Sequence, residues 1–362
     1  MRKEIVMKNR MHVHGPIIFL ALLFFNAVVF GAAPKKVFIV HSYEKGHVCG
    51  QSQANGVVDA FSESDLQIGK DVEFDYFYMD TKKIYTTPSE IKERGRLALE
   101  KVKMVKPDLV VTIDDNAAKT VLLPLVGTDD IQVVFSGMNG QPEDYSMKKH
   151  FMDSRDKPGA NVTGIYEKLH LVRSLNVMKG VLPGLKKVLA ITDYSPTGNA
   201  ITKQLEKESG EEILPVAFEL VRVKDFAGYK KTISSVNQDH KIGAIYPVAL
   251  SLKTAEGKTY AAPDIFRWTI KNCKKPGMAL NYFFAKLGLF GGAAVDFKAM
   301  GHQAGSKAVK IIKGSMAGDL PIEDANKYAI VFNLARAKEL GINIPFEILG
   351  AADFVYEEIL LK

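Results

Sequence analysis

The chain is poor in cysteine, with only Cys49 and Cys273 among 362 residues. Two isolated thiols build no disulfide framework and lack metal-site spacing. A bond between them would tie together distant parts of the chain, so unpaired, partly buried thiols are expected. The sequence also has no GxSxG elbow, no HExxH helix, no Walker loop and no clustered His/Cys set. Gly291-Gly292 lacks the spacing of a dinucleotide fingerprint. Asp114 and Asp115 are neighbours, and on an extended backbone neighbours point opposite ways, so a paired-carboxylate acid/base device is not expected. Together these gaps argue against an enzyme: no catalytic residue, no cofactor and no metal site is expected. His41, His47 and Cys49 lie close in sequence and are read as rim residues rather than a metal site. Basic pairs are scattered, at Lys35-Lys36, Lys186-Lys187, Lys230-Lys231 and Lys274-Lys275, with no basic stripe interleaved with aromatics. Nucleic-acid binding is excluded on that ground. There is no short-period repeat, no low-complexity segment and, after residue 33, no long apolar run.

What is present begins at the first residues. Arg2, Lys3, Lys8 and Arg10 precede an apolar run from Pro16 to Phe30, closed by Gly31, Ala32 and Ala33. This order is that of a cleavable secretory signal, assigned to residues 1–33. A spanning anchor needs about 20 apolar residues, and this run is shorter and interrupted by Asn26. No Cys lies near the boundary, so a freely diffusing periplasmic protein is expected rather than a lipoprotein. Three of the formal +7 charges belong to the leader. The remaining composition, 47% hydrophobic and 25% charged, is that of an ordinary globular protein, and its length suffices for more than one domain.

Short apolar runs then alternate with helical patterns. Strands are predicted at Val37–His41, Val72–Tyr78, Leu109–Ile113 and Ile131–Ser136. Helices are predicted at Gln51–Phe61, Ser89–Val105 (capped by Ser89) and Ala117–Leu125. Gly137 to Gly164, rich in Gly, Pro, Asp and Lys, reads as a connection. The rhythm restarts with helices at Leu169–Val181, Asn199–Ser209 and Phe226–Val236, and strands at Lys187–Thr192, Ile213–Leu220 and Ile242–Tyr246. Ala262–Lys271 and Met278–Asn281 continue it, and Gly288–Ala294 reads as flexible. A late helix at Asp296–Lys313 and a late strand at Tyr328–Asn333 imply that the chain crosses between lobes again. The pattern is α/β, with two Rossmann-like lobes built on parallel sheets. The limits are 34–158 plus about 293–322 for the first lobe, and 159–292 plus about 323–362 for the second.

In open parallel sheets, ligands bind beyond the carboxyl ends of the strands. The residues there are small and polar. The first-lobe candidates are His41, Ser42, Tyr43, Asp115, Asn116, Ser136, Gly137 and Asn139; those of the second lobe and hinge are Tyr194, Ser195, Thr197, Tyr246, Tyr282 and Asp296. Ser, Asn and helix-start N–H groups suit a carboxylate. Asp114 or Asp115 suits a cation, and the tyrosines suit an apolar or aromatic body. Asp, Asn and Ser are also the preferred helix caps, so each residue singly reads as a cap before it reads as a ligand contact. Asn161-Val162-Thr163 forms a glycosylation triplet of the kind that arises by chance.

An ordered set of segments carries a family resemblance: VFIVHSYEKG (Val37–Gly46), SQANGVVDAF (Ser52–Phe61), KPDLVVTIDDNAAK (Lys106–Lys119), IQVVFSGMNG (Ile131–Gly140), NVTGIYEK (Asn161–Lys168), LPGLKKVLAITD (Leu182–Asp193), GLFGGAAVDFKAMGHQAG (Gly288–Gly305) and LARAKELGINIP (Leu334–Pro345). The chain resembles the ABC-transporter substrate-binding family of the tryptophan/aromatic amino-acid type, within the type I periplasmic binding protein fold. The resemblance implies two lobes joined by a three-crossover hinge, closing on a small-molecule solute such as an amino acid or related metabolite for a membrane ABC permease. A monomer is expected. The alternative output is a sensing module that feeds a membrane sensor kinase or chemoreceptor. Where the aromatic amino-acid members carry a Thr-Pro-Ala-like run, this chain carries Thr112-Ile113-Asp114-Asp115-Asn116-Ala117; where they carry Asp-Asn after a second-lobe strand, it has Pro247-Val248-Ala249.

Overall fold

The computed structural model describes residues 33–248 and 250–361; the leader, apart from Ala33, lies outside the described residues. The first strand, β1 (Lys35–His41), is buried from Val37 onward. Side-chain alternation sends Val37 and Ile39 into one core and Phe38 and Val40 into another, on opposite faces of the sheet. Next come α1 (Val48–Ser62), β2 (Val72–Tyr78), α2 (Pro88–Val105) and β3 (Leu109–Ile113). Thr87, not Ser89, caps α2. Its hydroxyl accepts from the Glu90 N–H, the Glu90 carboxylate accepts from the Thr87 N–H, and Pro88 fills the first turn, where its missing N–H costs nothing.

A short α3 (Asp114–Ala117) runs through a π-helical turn into α4 (Leu123–Leu125), followed by β4 (Gln132–Met138), α5 (Pro142–Ser146) and β5 (Val162–Tyr166). The stretch read as a connection thus ends in a fully buried strand paired parallel to β4. Gly164 hides it from a pattern reading. A Cβ there would lie 2.4 Å from the Phe135 ring, so the position cannot carry the branched residue that marks a strand. The Asn161 triplet is structural: its buried amide donates to the carbonyls of Leu125, Thr128 and Ile131.

The second half supplies α6 (Leu171–Val181), β6 (Lys187–Asp193), α7 (Pro196–Glu211), β7 (Ala217–Val223), α8 (Phe226–Gln238) and β8 (Ile242–Pro247). A small hairpin of β9 (Ser251–Lys253) and β10 (Thr259–Ala261) precedes α9 (Ala262–Asn272), α10 (Tyr282–Leu287) and β11 (Gly291–Val295). The chain then forms α11 (Phe297–Ile312), β12 (Glu323–Asp324), β13 (Tyr328–Asn333), α12 (Leu334–Glu339), α13 (Phe346–Gly350) and β14 (Phe354–Tyr356). β7 starts later than expected, and Ile213 is 97% exposed. The Gly288–Ala294 stretch is not a loose segment: β11 is buried and antiparallel to β13. Its glycines are there for clearance. Gly291 has φ +130°, and a Cβ would meet the Val331 carbonyl oxygen at 1.9 Å.

The first sheet has the order β12-β5-β4-β3-β1-β2, all parallel. It therefore takes in β5 and β12, which lie beyond the sequence limits of 158 and 322. The second lobe holds β7-β6-β8 and β11-β13-β14, bridged by residues 277–281. The chain passes between lobes three times, after Tyr166, after Val295 and after Asp324. Among the described residues, no helix is long and apolar enough to cross a membrane. Cys49 and Cys273 are both free.

Where the chain returns after Val295, α11 packs on α1. The contact is backbone to backbone. A Cβ on Gly301 would sit 2.0 Å from the Gln53 carbonyl oxygen, and one on Gly56 would sit 2.1 Å from that of Lys298. Gly301→Ala is expected to cost about 1–3 kcal/mol through overpacking, read as a lowered denaturant midpoint. Gly184→Ala, where a Cβ meets nothing within 4 Å, is the matched control and should stay within about 0.5 kcal/mol.

Candidate ligand-binding site

A cavity of about 450 Å³ opens between the carboxyl ends of the first sheet and the start of α7. The first lobe contributes Tyr43, Thr81, Lys82, Asp115, Asn116, Gln141, Asp144 and Tyr145; the second contributes Ser195, Thr197, Asn199, Lys203 and Ser251. Several side-chain contacts bridge the lobes, among them the Gln204 amide on the Tyr166 hydroxyl. Lys203 pairs with Asp144 at 2.6 Å, and the Tyr282 hydroxyl meets that of Ser52 at 2.7 Å.

The candidate residues separate into three groups. Tyr43, Asp115, Asn116, Ser195 and Thr197 line the cavity. His41, Ser42, Ser136, Gly137 and Tyr246 lie beneath or behind it, in buried positions. Ser42 is a brace: its hydroxyl donates to the Ile113 carbonyl and accepts from the Ala117 N–H, fixing β1 to the β3–α3 turn. His41 stacks on Tyr78 at 4.4 Å, and neither ring nitrogen has a partner. Ser136 donates to the Gln53 side-chain oxygen, and Gly137, at φ +74°, leaves room for that same side chain. The third group serves other ends. Asn139 donates its N–H to Asp115, Tyr194 lies exposed under the Arg222 guanidinium, and Tyr282 stacks on Phe354. Asp296 caps α11. Ser195 is both cap and cavity wall, since its hydroxyl accepts from the Gly198 N–H.

Several groups escaped the sequence reading. Thr81 and Lys82 follow β2, the edge strand of the first sheet. The Lys82 ammonium sits 4.3 Å from the centre of the Tyr43 ring. Gln53 lies one turn inside α1 and bonds to Asp114 as well as to Ser136. Glu167 follows β5, the strand concealed by Gly164. Its N–H donates to the Met138 carbonyl, and its own carbonyl accepts from Gln204 of α7.

Burial dominates the electrostatics. It raises the Asp114 carboxyl to about 7, with Lys82 pulling it down and Asp115 pushing it up. It raises Glu167 well above the usual carboxylate range, with Asp114 and Asp115 adding to the rise. The Tyr43 hydroxyl and Cys49 thiol are also pushed up, so both stay neutral. His41 and His47 are lowered to about 4 by burial. Asp115 is engaged structurally, accepting from the Asn139 and Gly140 N–H groups and from the Tyr145 hydroxyl. Among the described residues no group of three metal-ligating side chains comes together.

Two α/β lobes, three crossovers and a polar cavity between facing strand ends and helix starts define a two-lobed solute-binding protein. The chain belongs to the ABC transporter substrate binding protein family, whose profile matches residues 46–356. Members of that family bind small-molecule solutes and work with membrane permeases. A tyrosine-binding protein of Clostridioides difficile (strain R20291) is 23% identical over 244 residues, which cover 65% of this chain and 63% of the relative. The chain thus matches just under two thirds of that relative's length. Among solved structures, a ligand-free, open substrate-binding protein with adhesive properties from Clostridium difficile has a TM-score of 0.68 at 19% identity, covering 90% of this chain and all of the other. A Streptococcus pneumoniae ABC domain in complex with L-Trp has a TM-score of 0.66 at 21% identity, covering 89% of this chain and all of the other.

The raised Asp114 carboxyl has a consequence for stability. A group whose folded pKa lies above its unfolded value adds stability that is fully present below the unfolded value and lost as pH rises through the folded one. For Asp114 that window runs from about 4 to about 7. His41 and His47, lowered from 6.5 to about 4, act oppositely and lose stability as pH falls through the same range. The difference between Asp114→Asn and wild type isolates the carboxyl. Melting temperatures at pH 5, 6, 7 and 8 should show the variant's advantage growing with pH; a constant difference would contradict the assignment.

Proposed function

We propose that this chain is an extracytoplasmic solute-binding protein that captures a small molecule, an amino acid or related metabolite, and delivers it to a membrane ABC permease. The observation that carries the reading is a cavity walled by both lobes, with Tyr43, Asp115 and Asn116 facing Ser195 and Thr197. A site assembled from two bodies is complete only when they approach, so ligand binding and hinge closure become one event. The leader supports an address outside the cytoplasm, through cleavage near residues 31–33. The tyrosine-binding relative and the L-Trp-bound neighbour support an amino-acid class. The Tyr43 ring offers a flat apolar face for a side chain of that kind, and the Ser195 hydroxyl at the start of α7 offers a polar one.

Thermal shift with an amino-acid and small-metabolite panel tests capture. A ligand held at 100 times its Kd should add about 2.7 kcal/mol to stability. Mass spectrometry of the native protein should find a retained molecule of the same class. No shift with any class, and nothing retained, would refute the reading. Tyr43→Ala is expected to weaken the identified ligand about tenfold or more by removing a stacking face, with Kd measured by titration calorimetry.

A further inference from the structure

We propose that the cavity selects a solute of net negative charge, an acidic amino acid or a carboxylate without a compensating amine. Its wall carries ammonium groups with no carboxylate partner, while each of its carboxylates is already engaged. This rests on the capture reading above and deepens it by naming the charge of what is captured.

Six charged side chains line the cavity: Lys82, Lys119, Lys148 and Lys203 against Asp115 and Asp144. Both carboxylates are committed. Asp144 is paired with Lys203 at 2.6 Å. Asp115 accepts from the Asn139 and Gly140 N–H groups and from the Tyr145 hydroxyl. Among the described residues, Lys82, Lys119 and Lys148 make no ion pair. Lys82 lies over the Tyr43 ring at 4.3 Å and Lys148 over the Tyr145 ring at 5.3 Å. Such ring contacts hold an ammonium without neutralising it. The wall thus has a net charge of +2, four lysines against two aspartates.

The surroundings do not cancel that charge. Asp114 and Glu167 lie behind the wall and do not line the cavity; at 2% and 4% exposure they are withdrawn from solvent. Burial holds both toward their neutral forms, against the downward pull of Lys82. On the second lobe, Ser195, Pro196 and Thr197 put the start of the 16-residue α7 against the cavity. The positive end of that helix dipole adds to the lysines. The Tyr43 ring, which could have received a cationic solute, already holds the Lys82 ammonium.

A cleft walled by one sign of charge concentrates the opposite sign at its mouth. Lys82, Lys148 and Lys203 are exposed and Lys119 is half-buried, so the field begins in solvent and continues inward. An anion is drawn in and then held by charge-assisted hydrogen bonds from the unpaired ammonium groups. A cation is repelled by the same groups, and that repulsion supplies the discrimination.

The probes are 3-(4-hydroxyphenyl)propionate, L-tyrosine and tyramine, which share a ring and are net anionic, neutral and cationic near neutral pH. L-glutamate, L-glutamine and L-lysine repeat the comparison without a ring. Titration calorimetry over these and the metabolite panel should find the tightest binder among the net-anionic members. Its affinity should fall several-fold at about 1 M salt, where the Debye length is about 3 Å. Lys82→Gln with Lys119→Gln should weaken that binder about tenfold or more, through loss of charged hydrogen bonds. Lys70→Gln, an exposed lysine before β2 at the other end of the sheet, should leave it unchanged. The ligand-free double variant should melt close to wild type; a merely structural role would lower its melting temperature and leave the salt dependence of binding as it was. Tightest binding by a neutral or cationic member, or a double variant that binds the anion as wild type does, would overturn the charge selection and leave capture standing. No binding by any member would remove both.

Discussion

The close approach of α1 and α11 is the constraint on which the site depends. It works because Gly56 and Gly301 present bare backbone where a side chain would collide with a carbonyl. That approach fixes the backbone of Gln53, which lies against Gly301. The Gln53 side chain then reaches the opposite way, to the Ser136 hydroxyl and to Asp114. A helix that follows the chain's second passage between lobes thereby helps to place a carboxylate at the end of a first-lobe strand. Packing and site chemistry meet in one residue.

Where burial is complete and the residues are branched, the fold was legible in the sequence. Val37–Val40, Leu109–Ile113 and Lys187–Thr192 are apolar runs that reappear as central strands. Legibility failed where glycine was needed for clearance. Gly164 gives way to Phe135, and Gly291 to the Val331 carbonyl, so β5 and β11 carry the composition of loops while occupying the middle of a core. The boundary between lobes moved for the same reason. The edge strand β2 has its predicted bounds, Val72–Tyr78, and only the loop behind it, with Thr81 and Lys82, carries no pattern to mark it.

The site was legible as a location more than as a set of roles. Strand ends predicted the cavity rim, and Tyr43, Asp115, Asn116, Ser195 and Thr197 lie there. Sequence position could not separate residues that face the cavity from residues that brace it, because both uses favour small polar side chains next to helix starts. Ser42, Ser136 and Asp296 illustrate the bracing use, each with its hydrogen bonds spent inside the scaffold. Of two adjacent aspartates, one holds a turn together and the other is left with an unpartnered oxygen. Only three-dimensional hydrogen-bond accounting distinguishes them.

Glu167 sits on the first of the three passages between lobes. In mechanical terms that is the pivot. A force applied at a pivot turns nothing through distance; it stiffens or loosens the axle. The Lys203–Asp144 pair joins α7 to α5 and is half-exposed, so its pull is weakened by dissolved salt. The two lobes are therefore held both by a clasp that dissolved salt weakens, the Lys203–Asp144 pair, and by the continuous chain after Tyr166, which salt does not touch.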